Sequence, residues 1–262
     1  MAGFGRGGDA VIDPRLSVLD ERLSGIGRVV LITGGKGGVG KSVLSSCLAL
    51  ASSRSGRKVG LLDLDLTSPS QHVILGAKGA FPTEDGGLVP PSVHGMMLMS
   101  MSFFVGDKPA PLRGADISNA MIELLAVTIW GELDLLVVDM PPGLSDAALD
   151  AARLLKGSES VLVTTPSRVS FSSVEKTIRL FKESGARMIG VLENMRMKDA
   201  SFVKDEATRL GVPYLGAVRF DPELEDAIGS PERLLASGVV GDLGPVVGLL
   251  GKGTGAISYH GQ

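Results

Sequence analysis

Residues 34–42 read GGKGGVGKS, a glycine-rich stretch that contains two lysines. Glycines let the backbone curl so that successive N–H groups point at a phosphate, and a helix N-terminus that follows strengthens the attraction. The pattern G-x-x-x-x-G-K-[ST] predicts that Lys41 contacts the β- and γ-phosphates of a nucleotide and that the Ser42 hydroxyl completes a Mg²⁺ shell. The predicted nucleotide-binding residues of this loop are Gly35, Lys36, Gly37, Gly38, Val39, Gly40, Lys41, Ser42 and Val43.

Three aspartates follow apolar runs downstream of the loop. LLDLD ends in Asp63 and Asp65, and LLVVDMPPG carries Asp139. In an open parallel sheet the carboxyl ends of the strands meet the ligand crevice. An acid placed there beside a phosphate-binding loop can hold Mg²⁺ through water or orient an attacking water. We expect these roles for Asp65 and Asp139, whereas for Asp63 a solvated strand end is an equal alternative.

Lys36, near the front of the loop, has two interpretations. Phosphoryl transfer spreads negative charge over the γ-phosphate and the bridging oxygen, and a positive group from a partner chain can stabilise that charge. The second interpretation is an ordinary loop lysine that faces water.

The elements around the motif alternate between apolar strands and helical patterns. RVVLIT precedes the loop as a strand, and KSVLSSCLALASSR follows it with helical spacing. This alternation predicts an α/β fold with a mostly parallel sheet of about seven strands covered by helices on both faces, as in P-loop NTPases. We expect a single domain over residues 15–250, with flexible tails at 1–14 and 251–262. The predicted strands lie at 28–33, 58–65, 96–101, 133–139, 160–166, 188–194 and 213–218, and the predicted helices at 15–27, 118–130, 171–184 and 232–250.

Composition narrows the class of protein. A net charge of −3 argues against a general nucleic-acid binder, which needs a basic face. No apolar run approaches a membrane span and the N-terminus lacks a signal-peptide core, so we expect a cytoplasmic protein. Cys47 is the one cysteine, and it shares a helical face with core positions. The three histidines show no metal-ligand spacing, and the methionines of MMLMSM are more typical of core than of a copper site.

KGGVGKS resembles the deviant Walker A motif of the MinD/ParA/nitrogenase-iron-protein superfamily. Further stretches, over about residues 28–231, are similar to the Mrp/ApbC (Nbp-type) branch of ATP-dependent iron–sulfur cluster carriers. These stretches are KVGLLDLDLTSPS, PLRGADIS, WGELDLLVVDMPPGLSD, VLVTTPSRVSFSSVEKTIRLF, IGVLENM and VRFDPELEDAIGSP.

The resemblance implies a slow, Mg²⁺-dependent ATPase that works as a homodimer. Lys36 would act in trans on the partner's nucleotide and Lys41 in cis. Asp65 would orient the hydrolytic water in a first switch, and Asp139 would open a second switch. Asn194 would hydrogen-bond adenine, and the segment around Phe220–Pro222 would frame the base.

Two departures from the family pattern matter. Val43 stands where the family usually has threonine, so one hydroxyl contact to phosphate is missing. After ENM, cluster-carrying members have a C-x-x-C whose thiolates bridge a cluster across the dimer, whereas this chain has no cysteine there. The resemblance therefore implies ATP and Mg²⁺, and it leaves an iron–sulfur cluster without its usual ligands. The chain would then act together with a cysteine-bearing paralogue, or on a different client.

Three functions stay open from the sequence. The first is an Mrp-type ATPase of iron–sulfur cluster assembly or carriage. The second is a spatial-positioning ATPase like MinD or ParA, although the ending GPVVGLLGKGTGAISYHGQ has little of the basic helix that lies on membranes. The third is a nucleotide-gated scaffold with little turnover, against which the intact lysines and Asp65 argue.

Overall fold

The computed structural model describes Asp13, residues 15–105 and residues 115–252. Most of the two predicted tails therefore lies outside the described residues, as does the first part of PLRGADIS. None of the helices within these ranges is long and apolar enough to cross a membrane.

Ten strands and eleven helices lie along these ranges. The strands are β1 Val29–Gly34, β2 Val59–Asp63, β3 Thr83–Glu84, β4 Leu88–Val89, β5 Ser92–Val93, β6 Met96–Ser100, β7 Leu135–Asp139, β8 Glu159–Thr164, β9 Arg187–Arg196 and β10 Tyr214–Arg219. The helices are α1 Arg15–Leu23, α2 Lys41–Arg54, α3 Gln71–Ile74, α4 Ser102–Val105, α5 Ala115–Val127, α6 Asp146–Leu154, α7 Arg168–Glu183, α8 Phe202–Arg209, α9 Leu224–Ala227, α10 Pro231–Ala236 and α11 Gly238–Leu250.

Eight strands form one sheet in the order β10-β9-β8-β1-β7-β2-β6-β5. Every neighbouring pair is parallel except β5 with β6, which is antiparallel. The seven parallel strands are the ones that the apolar runs predict. The eighth, β5, is only two residues long, too short to produce a periodic signal. β3 and β4 form a separate antiparallel pair.

Helices cover both faces of this sheet, as near-continuous apolar strands require. α7 and α8 supply Phe171, Val174, Ile178 and Val203 to a cluster on β8 and β9. The other strands contribute to the larger core cluster, which includes Cys47 on α2 and the methionines of β6. The core interpretation of Cys47, Met96 and Met99 is therefore confirmed.

The helix predicted over 232–250 is wrong in one respect, because the structure has two helices there. Ser237 has an extended backbone, with φ −68° and ψ 154°, and it separates α10 from α11. One apolar face of α11, formed by Val239, Leu243, Val246 and Leu250, is buried, and the helix packs against α2 and β10. The apolar side of this C-terminal helix is thus committed to the domain core.

Candidate nucleotide-binding site

The glycine-rich loop runs from the end of β1 at Gly34 to the start of α2 at Lys41. Gly38 and Gly40 have φ angles of +76° and +84°, a left-handed backbone that favours glycine. A Cβ at Gly35 would overlap the backbone of α7, and a Cβ at Gly40 would overlap the Asn194 amide on β9. The loop therefore needs these glycines both for its turn and for its close approach to neighbouring elements.

The two loop lysines differ in their surroundings. Lys41 is only 7% exposed at the first turn of α2, and its charge offsets part of the rise that burial causes in the pKa of the nearby Asp139 carboxyl. Lys36 lies in the loop and is half-buried. Neither lysine makes a hydrogen bond or an ion pair with another side chain in the part of the chain that the structure describes. Both ammonium groups are thus available to phosphate.

Asp63 and Asp139 lie side by side on β2 and β7, where they are register partners, and both are fully buried. Burial raises the pKa of both carboxyls. The charge of Asp139 raises the pKa of Asp63 further, whereas hydrogen bonds from Ser42 and Gln71 offset part of the rise at Asp139. Two neighbouring carboxylates that are shielded from water favour the binding of a positive charge beside them.

Asp63 organises the backbone that follows β2. Its Oδ1 accepts from the N–H of Asp65 at 3.1 Å, and its Oδ2 accepts from the N–H groups of Ser70 at 3.1 Å and Gln71 at 3.2 Å. The hydroxyl of Ser100 donates to the same Oδ2 at 3.3 Å. The alternative of a solvated strand end is therefore wrong for Asp63, because its oxygens are buried and occupied by the segment 65–71.

Asp65 begins that segment and is half-buried. Its Oδ1 accepts from the Thr67 hydroxyl at 3.0 Å and from the N–H of Ser68 at 3.2 Å. Sequence reasoning did not identify Gln71, which is fully buried at the start of α3 and donates to Asp139. Only its position six residues after Asp65 links it to the motif, and no local pattern marks it.

A pocket suited to a base lies beside the loop. Asn194 is 7% exposed at the end of β9, and its Nδ2 donates to the carbonyl of Val39 at 2.9 Å. This bond leaves the Asn194 Oδ1 free of protein donors among the described residues. Val43, which lacks the hydroxyl of the usual threonine, supplies an apolar wall. The pocket is lined by Gly40, Val43, Leu44, Asn194, Met195, Arg219, Phe220, Asp221, Leu224 and Val239.

Mg²⁺ fits the chemistry of the three predicted ligands. Ser42, Asp65 and Asp139 offer only oxygen donors, which a hard cation prefers, and Asp139 is a buried carboxyl that a positive charge would stabilise. Within the described ranges no group of three or more histidine, cysteine or acidic side chains is arranged to hold a metal alone. Mg²⁺ commonly takes most of its ligands from phosphate and water, so this arrangement suits it.

The loop after β9, where related proteins are expected to carry C-x-x-C, is held instead by Arg196, the last residue of that strand. Arg196 contacts the buried Glu193 at 2.8 Å and donates to the carbonyl of Ala200 at 2.8 Å. The Tyr214 hydroxyl donates to Glu193 at 2.8 Å. Cys47, the only cysteine of the sequence, is fully buried elsewhere, and burial raises the pKa of its thiol to about 12.

The loop between β1 and α2, set at the carboxyl edge of a mostly parallel sheet, defines a P-loop NTPase. Solved structures with a similar fold support this assignment. A nucleotide-binding protein from Archaeoglobus fulgidus, solved with ADP, matches with a TM-score of 0.75 at 27% identity, over 87% of this chain and 96% of that one. The MinD septum site-determining protein from Pyrococcus horikoshii, solved with Mg-ADP, gives 0.67 at 21% identity over 86% and 96%, which shows the fold alone.

The family model described as "ParA: NUBPL iron-transfer P-loop NTPase" matches residues 25–238, and the chain belongs to this family. An iron-sulfur cluster carrier protein from Aquifex aeolicus is 34% identical over 83% of this chain, which spans 64% of that relative's length. The cytosolic Fe-S cluster assembly factor NUBP2 from Rattus norvegicus is 40% identical over 77% of this chain and 82% of its own length. The resemblance to the Mrp/Nbp branch is confirmed.

Proposed function

We propose that this chain is a Mg²⁺-dependent ATPase that works as a homodimeric switch in iron–sulfur cluster assembly or carriage, with the cluster thiolates supplied by another protein. The observation that carries this proposal is the loop itself. It folds as a phosphate-binding turn with one buried lysine, one accessible lysine and a base pocket alongside. The family membership supports the iron–sulfur part of the proposal.

Each side chain of the site has a role in the proposed reaction. The loop N–H groups and Lys41 bind the β- and γ-phosphates, and the Oδ1 of Asn194 accepts from the adenine amino group. Ser42, Asp65 and Asp139 would hold Mg²⁺, which would neutralise charge on the phosphate oxygens. Asp65, half-buried at the start of its segment, orients the attacking water. Turnover is slow unless a second cation reaches the γ-phosphate.

Exposed apolar side chains near the carboxyl ends of the parallel strands, the edge of the sheet where the nucleotide loop lies, support a dimer that covers this edge. In the described ranges, six of the nine large exposed hydrophobic residues lie within five residues of the last residue of a parallel strand. Single exposed apolar residues are ordinary, whereas a concentration on one edge is typical of an interface. Lys36 lies at the same edge. The six residues are Phe104, Leu144, Val169, Met195, Met197 and Phe220.

We assign the cluster to a partner protein because this chain has a single cysteine. A cluster needs several thiolates, and this chain offers one buried thiol. A homodimer would bring two such thiols, each within its own core. ATP-driven opening and closing of the dimer would then act on a cysteine-bearing relative or client, in which the cluster is the cargo.

The test is ATPase activity per chain as a function of protein concentration. If Lys36 acts in trans, specific activity should rise with concentration, and Lys36→Ala should remove that activity while leaving nucleotide binding nearly unchanged. Lys58→Ala is the matched control, because Lys58 is 67% exposed at the opposite edge of the sheet, where it pairs with Glu132. Activity that is independent of concentration and survives Lys36→Ala would refute the trans role.

A further inference from the structure

The carboxamide of Gln71 joins the nucleotide loop to Asp139. Its Nε2 donates to the carbonyl of Ser42 at 3.0 Å and to the Oδ2 of Asp139 at 2.9 Å. Its Oε1 accepts from the hydroxyl of Ser46. Both amide protons and the amide oxygen therefore have partners, so the side chain has one defined orientation in a fully buried setting.

The backbone N–H of Gln71 makes a further contact, with the end of β2. Its N–H donates to Asp63 at 3.2 Å, next to the bond from Ser70, and these bonds close the segment that begins with Asp65. Gln71 thus contacts the first turn of α2, the tip of β7 and the tip of β2. It does so from the end of the segment that carries the proposed water-orienting carboxylate.

Gln71 contacts only one of the two carboxylate oxygens of Asp139. Gln71 occupies Oδ2, and the Ser45 hydroxyl lies 3.3 Å from Oδ1. That hydroxyl is closer to the carbonyl of Lys41, at 2.8 Å, and it has a single proton to donate. Oδ1 therefore has only a shared donor in the Ser45 hydroxyl, whereas Oδ2 is held by the Gln71 amide, which fixes the orientation of the carboxylate.

We propose that Gln71 is a positioning residue, which orients Asp139 for Mg²⁺ and couples the nucleotide loop to the segment 65–70. This proposal rests on the proposed function, because it concerns the same Mg²⁺-nucleotide site. Hydrogen-bond partners behind a metal ligand typically contribute 10- to 100-fold to metal affinity or activity. Gln71 touches neither nucleotide nor water in this role and acts through Asp139 and the backbone.

The experiment measures the Mg²⁺ dependence of binding as well as activity. A fluorescent ADP is titrated with the wild-type protein and the variants in EDTA and over a series of Mg²⁺ concentrations, and ATPase rates are taken over the same series. Gln71→Met keeps the volume and removes both donors, whereas Gln71→Asn keeps the carboxamide on a side chain one methylene shorter. Ser52→Ala is the control, because its hydroxyl is buried in the same helix α2 without a hydrogen-bond partner.

For Gln71→Met we expect the half-saturating Mg²⁺ concentration to rise about tenfold in both assays, with ADP binding in EDTA unchanged. Gln71→Asn should fall between this variant and the wild type, and Ser52→Ala should match the wild type. If Gln71→Met does not fold, the Asn variant provides the same comparison with a smaller shift. An unchanged Mg²⁺ dependence in a folded Gln71 variant would overturn the positioning role alone. A wild-type protein that binds no nucleotide would overturn this role and the proposed function together.

Discussion

Replacing Gly40 with alanine should destabilise the protein more than the same replacement at Gly38. Both residues have a left-handed backbone, with φ of +84° and +76°, so each alanine costs about 1–2 kcal/mol for that conformation. At Gly38 no atom lies within 4 Å of the added Cβ. At Gly40 the Cβ would displace the Asn194 amide and remove its 2.9 Å hydrogen bond to Val39, which adds about 1 kcal/mol.

The two variants share the other consequences of the exchange. Alanine restricts the unfolded chain equally at both positions, so this stabilising term cancels in the difference. We therefore expect a total of about 2–3 kcal/mol for Gly40→Ala and about 1–2 kcal/mol for Gly38→Ala. Because Asn194 lines the base pocket, Gly40→Ala should also lose more affinity for ADP than Gly38→Ala does.

The assay is urea denaturation in EDTA without nucleotide, followed by ADP titration of the folded variants. Gly56→Ala is a control away from the loop, since Gly56 has φ of +88° and no atom within 4 Å of an added Cβ. It should lose the backbone contribution only and bind ADP normally. Equal destabilisation of the Gly38 and Gly40 variants would refute the claim that the hydrogen bond from Asn194 to Val39 stabilises the loop.

Two further predictions concern the buried carboxyls and the cysteine. Because burial raises the pKa of Asp63 and Asp139, the folded protein binds more protons than the unfolded chain, and the free energy of unfolding without Mg²⁺ should fall as pH rises above the ordinary carboxyl value of 3.8. Asp139→Asn should flatten this dependence in urea denaturation at about pH 6 and about pH 8.5, which lie on either side of the pKa of about 8 to which burial raises Asp63. An identical slope in both proteins would contradict the prediction. Anaerobic reconstitution with iron and sulfide should leave no stoichiometric iron on the chain, with or without ATP, because Cys47 is buried and its thiol is protonated at neutral pH. Iron that is retained by the wild type and lost in Cys47→Ser would show a site of the chain's own.

The nucleotide loop and the sheet could be predicted from the sequence because their signals are local. The glycines and lysines of residues 34–42 occupy fixed spacings, and parallel strands that are buried on both faces appear as continuous apolar runs. The position of Asp139 at a strand tip follows from the same reasoning. Cys47 was predicted as a core residue because its helix has an apolar face at the corresponding spacing.

The tertiary structure decided what each polar residue near the loop contacts. Asp63 and Asp65 are two residues apart in the same motif, yet one is buried under the backbone of the segment 65–71 and the other is half-exposed. Gln71 meets Asp139 across a separation of 68 residues, and no local periodicity records such a contact. The sequence by itself determined the strands, the loop and their order. Which carboxylate faces the nucleotide, and which side chain orients it, depends on hydrogen bonds between distant segments that exist only once the sheet has brought β2, β7 and α2 together.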